Sequence, residues 1–354
     1  MLWRHYGIIA LWLLAGSLSA QTLEPINSIA VHPDGKHLII GGNRGMFRIW
    51  QIDPPREIAK IVHPGNVQYL SVSSDGKHVA TGGTTRTLFI WNIQKINEPR
   101  QVAKFESDSQ DILGVAFSPK GRWIASCGDD GLTRLWELAG GSSGSGGLGK
   151  IVGARAPGEP RDQKQSRFVV KGHSDKTWLP AFTPDDKYLV TGSSDNTAKV
   201  WDMSTAPPSV IHTISDHDST VMSLAFSADG KRAVTGSLDQ SAIVWDFSNP
   251  REPVLVHRMK KHERGIYAVA ISPNGRYVAT GSSDKLGNLW DLDGREPKLM
   301  GVLEGHEDAV EALAFSPDNK RLFSGSHDGK IRIWLIDGSE FKAGSILPDA
   351  AQPD

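Results

Sequence analysis

The chain has 354 residues, with 39 lysines and arginines against 40 aspartates and glutamates, for a formal net charge of −1. That balance excludes the broad basic face of a nucleic-acid binder, and the single cysteine, Cys127, excludes an intrachain disulfide. Length alone would suggest two domains, but the chain repeats itself, and a repeat makes one closed unit instead.

Residues 1–20 place one positive charge, Arg4, before a short apolar run that starts at Ile8, and small residues such as Ser17, Ser19 and Ala20 follow. This is the pattern of a secretory signal peptide. The run is shorter than the ~20 residues of a spanning helix, so no stable membrane insertion is expected after cleavage near Ala20. No cysteine follows the run to take a lipid, and no Asn-x-Ser/Thr sequon occurs. These features predict an exported protein, periplasmic or extracellular, of a bacterial cell envelope.

From residue 21 to 348, short β-branched and aromatic runs alternate with turn residues, as half-buried strands do. The first unit is expected from Asn27 to about Asp53, with the turn His32-Pro-Asp-Gly-Lys36. The second spans roughly 57–93, with Ser74-Asp-Gly-Lys77, and the third begins near Gln101, with Pro119-Lys-Gly-Arg122. Asp-Gly after a strand is strong hairpin chemistry, because Gly tolerates positive φ. Later units have alternating apolar strands near 177–183, 221–227, 266–272 and 310–316, and their small residues suit a crowded inner position. A tryptophan closes each unit, at Trp50, Trp91, Trp136, Trp201, Trp245, Trp290 and Trp334. The period is forty-odd residues, with one longer gap before Trp201.

That gap marks an insertion at 139–166, Gly/Ser-rich in its first half and flexible by composition. It falls between the third and fourth strands of the third unit. Gly144 to Lys150 fits a phosphate-loop pattern, but Ile151 stands where Ser or Thr must hold Mg²⁺, and Gly153 and Pro157 oppose the following helix. Gly140-Gly-Ser142-Ser-Gly144 fits a nucleophile elbow without the strand-to-helix turn that chemistry needs. Neither predicts a cofactor, and no metal set is assigned. The segment Glu340–Leu347 aligns with the outer strand Arg56–Val62, so the C-terminal segment is expected to complete the last unit. Residues 349–354 are expected to be a loose tail.

Gly172-His173 and Gly305-His306 open repeats, and Trp201-Asp202, Trp245-Asp246 and Trp290-Asp291 close them. With seven copies in phase, the chain resembles the WD-repeat family over nearly everything after residue 21. The resemblance implies an all-β fold: a seven-bladed β-propeller with four-stranded antiparallel blades.

Four repeats carry Ser, His and Asp at matched positions. They are His173, Ser193, Asp195 and Trp201; His217, Ser237, Asp239 and Trp245; His262, Ser282, Asp284 and Trp290; and His306, Ser326, Asp328 and Trp334. One set would suggest a catalytic triad. Four sets argue for structure, and the family implies a buried network in which Asp orients His, the hydroxyl bridges it and the indole ends it. Arg44 and Thr85 stand at the Asp position of the first two repeats, with Asp130 in the third. Thr22, His63 and Asp108 stand at the His position. Blades one to three are therefore expected to lack the full network.

The family also places the second residue of each inner strand at the channel mouth: Asn27, Gln68, Leu113, Trp178, Met222, Tyr267 and Glu311. Asn43, Thr84, Asp129, Ser194, Leu238, Ser283 and His327 should lie nearby. Trp178, Met222, Tyr267 and Leu113 are aromatic or soft apolar anchors suited to a partner segment. Asp108, Asp129 and Glu311 would make the mouth acidic and favour a basic ligand. The expectation is a non-catalytic scaffold, monomeric on its own, that binds a protein or peptide and no nucleic acid. The alternative is an envelope enzyme or small-ligand binder using the channel, for which Glu311, Asp129 and His327 are the available groups.

Overall fold

The computed structural model describes residues 24–107, 111–138, 167–338 and 340–347. Residues 1–20, expected to be a signal peptide, the 139–166 insertion and the expected tail at 349–354 lie outside them. The described chain forms seven four-stranded antiparallel sheets, each contiguous in sequence. No helix among the described residues is long and apolar enough to cross a membrane.

The sheets are seven blades of a propeller. Their inner strands are Ile26–Val31, Val67–Val72, Ile112–Phe117, Thr177–Phe182, Val221–Phe226, Ile266–Ile271 and Val310–Phe315, and each packs against the inner strands of the blades on either side. The boundaries expected for the early repeats are corrected by one strand. Arg56–Val62 hydrogen-bonds to Met46–Gln51 and is the outer strand of blade one; Arg100–Glu106 is likewise the outer strand of blade two. An outer strand has no partner but the tryptophan strand before it, so it joins that blade.

The hairpin between inner and second strands repeats a left-handed residue at its tip. Gly35, Gly76, Gly121, Gly230 and Gly275 supply it in five blades, and Asp186 and Asn319 in blades four and seven. Asn and Asp tolerate this conformation through local polar contacts. Here they also reach across to the next blade: Asp186 accepts from Ser118 Oγ at 2.7 Å, and Asn319 from the Asn274 amide at 3.0 Å.

The core lies between blades rather than within them. Seven buried apolar clusters occupy the seven blade junctions. The junction that closes the ring packs Ile26, Ile29, Leu38 and Trp50 of blade one against Phe323, Ile331 and Ile333 of blade seven. A side chain at Gly325 would meet the side-chain ends of Ile29 and Ile26 at 2.6 and 2.7 Å, so any larger residue there must displace those isoleucines from the closing junction. The outer strand of blade seven is Glu340–Ile346, paired with Ile331–Asp337. Phe341 stacks on Trp334 at 5.6 Å, and Leu347 is buried in the closing cluster. The 139–166 insertion joins the third strand of blade three, Leu132–Glu137, to its outer strand, Phe168–Lys171.

Candidate functional site

The four Asp-His sets build one hydrogen-bonded chain per blade. In blade four His173 Nδ1 lies 2.9 Å from Asp195 Oδ2, and His173 Nε2 lies 2.8 Å from Thr191 Oγ1. The Trp201 indole donates to that same oxygen at 2.9 Å. One proton assignment satisfies every member: Trp201 donates to Thr191, Thr191 to Nε2, and Nδ1–H to Asp195. Blades five and seven repeat it through His217, Thr235, Asp239 and Trp245, and through His306, Ser324, Asp328 and Trp334.

This corrects the expected bridge. The hydroxyl is Thr191, Thr235, Thr280 or Ser324, not Ser193, Ser237, Ser282 or Ser326. The latter four serines hold the turn instead: Ser193 Oγ donates to the Lys176 carbonyl at 2.8 Å and accepts from the Asp195 amide at 3.0 Å. The other three accept from the matching Asp amide and donate to a carbonyl one residue earlier in the turn, that of Ser219, Arg264 or Asp308. Both hydroxyls project from one face of the second strand, so alternation does not separate them. Register does. Leu189 pairs with Trp201, which puts Thr191 diagonally across from the indole and Ser193 one step too far.

Blade six is the exception. His262 reaches Asp284 and Thr280, each at 2.8 Å, but the Trp290 indole nitrogen is buried with no partner, and Asn288 instead reaches His262 Nε2 at 3.0 Å. Trp290 is therefore outside the network expected for it. Blade two keeps three members, His63, Thr81 and Trp91, without an Asp. In blade three Trp136 donates to Ser126, while Asp130 is held by Arg134 at 2.7 Å. Blade one has Ile40, an apolar residue, in the strand position that Thr81 fills in blade two.

The electrostatics follow the bonding. Burial lowers the His173 imidazole below its usual range, and Asp195 offsets this only in part. Burial likewise lowers His262 and His63. Burial works to raise the Asp195 carboxyl, but the Thr197 hydroxyl, the Ser174 amide and His173 together hold it at about 2. Asp328 sits at about 2 for the same kind of reason. Such a histidine is bonded on both nitrogens and faces no substrate. Cys127 is buried, and burial pushes its thiol up to about 12, so it is no nucleophile at neutral pH.

The seven positions expected at the channel mouth share a backbone feature that sequence reading missed. In every blade the pairing of inner and second strands slips at that residue: Asn27, Gln68, Leu113, Trp178, Met222, Tyr267 and Glu311 are all left out of register. Each is a β-bulge residue, and a bulge re-aims its side chain out of the regular strand. The bulges stand at one end of the ring of inner strands. Tyr69, one residue on from Gln68, is raised by burial and then by Glu311 and Tyr267, from blades seven and six.

Three bulge residues bond to the residue sixteen positions later. Asn27 donates to Asn43 at 3.0 Å, Trp178 donates to Ser194 at 2.8 Å, and Glu311 lies 2.9 Å from His327. The hydrogen bond to Glu311 raises His327 above the usual imidazole range, against burial. Trp178 and Tyr267 are half-buried. Met222 and Leu113, expected at the wet mouth, are buried, only 5% and 6% exposed. Glu311 is spent on His327, and Asp129 accepts from the Asp111 amide at 3.3 Å. Asp108 lies outside the described residues.

Seven like four-stranded blades packed in a closed ring define a repeat propeller. The chain belongs to the WD domain, G-beta repeat family, whose model matches residues 12–51, 56–92, 99–137, 164–202, 208–246, 253–291 and 297–334. It is 24% identical to "Protein HIRA" of Homo sapiens over 50% of this chain and 14% of that protein. It is 31% identical to a component of chromatin assembly factor 1 from Gallus gallus over 31% of this chain and 19% of that protein. It is 29% identical to "U4/U6 small nuclear ribonucleoprotein PRP4-like protein" of Arabidopsis thaliana over 27% of this chain and 13% of that protein. The chain thus spans less than a fifth of the length of each. These relatives overturn the expectation of an exported, periplasmic or extracellular protein: they are eukaryotic, and two carry chromatin or small nuclear particles in their names.

Proposed function

We propose that the protein is a non-catalytic scaffold that holds a protein or peptide segment at the rim formed by the seven bulge residues. The sevenfold bulge carries this reading. It repeats at one position in blades of otherwise different sequence, and a bulge makes a side chain available that a regular strand would hold against its neighbours. Trp178 and Tyr267 are the anchors, since half-buried aromatics with a polar handle are typical of interface centres. Asn27, Gln68 and the Glu311–His327 pair form the polar part of the rim. Leu113 and Met222 act from beneath, as the apolar support of the anchors. The names of the relatives, a chromatin assembly factor among them, support a role in protein assemblies.

The test is affinity purification of the full chain from cells that make it. Each recovered partner is then titrated against the wild type and the double variant Trp178→Ala with Tyr267→Ala. Loss of at least tenfold in affinity at unchanged thermal stability supports the rim. Unchanged affinity for every partner removes it.

One observation favours a second reading, a small polar ligand in the channel. Gln68 Oε1 is buried without a partner, and such an acceptor calls for a donor. A thermal-shift screen of small donor-bearing metabolites separates this from the first reading, since Gln68→Leu would abolish any shift it finds.

A further inference from the structure

At the opposite end of blade one, the turn His32-Pro-Asp34-Gly-Lys-His37 gathers two imidazoles and a carboxylate. Their ligand atoms all lie within 4.8 Å of one another. The same turn recurs elsewhere with different chemistry. In blades two, four, five and seven the residue at the His32 position is Ser73, Thr183, Ser227 or Ser316. Its hydroxyl donates to the turn carboxylate of Asp75, Asp185, Asp229 or Asp318. Those turns are closed by a proton donor and need nothing more.

Blade one presents a lone pair instead. His32 Nε2 lies 2.8 Å from the carbonyl of Gly76 in blade two, and a carbonyl only accepts, so Nε2 carries the proton. In the neutral imidazole that leaves His32 Nδ1 with a lone pair, 3.0 Å from Asp34 Oδ1. Its one donor is the Asp34 backbone N–H, at 3.2 Å. Gly76 is fixed in this role: its φ is +69°, and a side chain there would strike the His32 ring at 2.6 Å. The other carboxylate oxygen, Asp34 Oδ2, lies 2.7 Å from His37 Nδ1. Amides of Lys36 and His37 steady the carboxylate from behind. A lone pair held against a carboxylate oxygen is repulsive unless a cation sits between them.

We propose that His32, Asp34 and His37 form a binding site for a divalent first-row transition ion, with zinc as the probe. The donor set, two imidazoles and one carboxylate, suits zinc with its remaining position open to water. Two ligands on one tetrahedral zinc stand about 3.3 Å apart at bond lengths of about 2.0–2.1 Å; here the Asp34 oxygens stand 3.0 and 2.7 Å from the two imidazole nitrogens, and the whole set lies within 4.8 Å, so small side-chain shifts would close it on an ion. The His32–Gly76 bond is the outer contact that fixes a ligating imidazole's tautomer and orientation. The ion would tie blade one to blade two, in the part of the ring where the Asp-His chains are incomplete.

The test is calorimetric titration of the untagged full chain with zinc, with magnesium as the control ion, and cobalt absorption as a second readout of the ligands. We expect one zinc per chain, no magnesium binding, and a rise in melting temperature with zinc. His32→Gln and His37→Gln should each weaken zinc binding at least tenfold, while His78→Gln, in the neighbouring turn, should not. If His32→Gln fails to fold, His37→Gln decides alone, because its imidazole makes no bond to another blade. Absence of stoichiometric zinc binding would mean that a proton on His32 is the only cation there, and the proposal fails. It fails equally if binding survives both variants, or if His78→Gln abolishes it.

Discussion

The indole nitrogen of Trp201 and the hydroxyl of Thr191 are 2.9 Å apart, and that one oxygen also serves His173. Thr191→Val keeps the shape and removes the bridge, leaving a buried indole N–H and a buried imidazole nitrogen without partners. The expected cost is about 2–6 kcal/mol, since each of the two orphaned groups costs about 1–3 kcal/mol. Thr191→Ser, which restores the oxygen, should recover most of it. Urea unfolding measures both, and equal stability of the Val and Ser variants would show that the bridge contributes nothing.

Trp290 tests the same chain by its absence. Its indole nitrogen is already buried without a partner, so Trp290→Phe removes an unsatisfied donor and should change stability by less than about 1 kcal/mol. Trp201→Phe and Trp245→Phe break a real bond and should each cost about 1–3 kcal/mol. A larger loss at Trp290 than at Trp201 would contradict the assignment.

Stability should fall with acid in two windows. His63, His173 and His262 have folded values below the ordinary 6.5, so the unfolded chain binds protons first. Their contribution is complete above pH 6.5 and drains as pH drops through the lowered folded values. Asp195 and Asp328, at about 2 against an ordinary 3.8, add a second loss from pH 3.8 down to about 2. His327 has the opposite sign: its raised value gives stability below pH 6.5 that is lost as pH rises through the folded value. Urea midpoints at pH 8, 7, 6 and 5 check the first window. His327→Gln should make the fall toward pH 5 steeper, and a flat profile from 7 to 5 in the wild type would refute the scheme.

The last strand should matter more than its exposure suggests. Glu340–Ile346 is the outer strand of blade seven, with Phe341 stacked on Trp334 and Leu347 buried beyond it. Phe341→Ala should cost about 2 kcal/mol, the order expected when an aromatic stack and its burial are lost together. Truncation after Asp337 should lower the melting temperature further and expose the Trp334 indole to quenchers. A truncated chain that melts at the wild-type temperature would show that blade seven closes without it.

Much of this protein is written in local sequence. Trp50 to Trp334 in phase, Asp-Gly at the hairpins and alternating apolar runs specify strand, turn and repeat, because each is decided by neighbours a few residues apart. The Asp-His pairs were legible for the same reason, as fixed offsets within a repeat. Three things were not. Whether Thr191 or Ser193 meets Trp201 depends on cross-strand register, and both stand on one face of one strand. That Met222 and Leu113 are covered, while Trp178 and Tyr267 are half-open, depends on how adjacent blades pack. The tautomer of His32 is set by a carbonyl of another blade, 44 positions along the chain. Sequence fixes what a residue can donate, accept or bury; only the closed ring brings it to the partner that decides which of these it does.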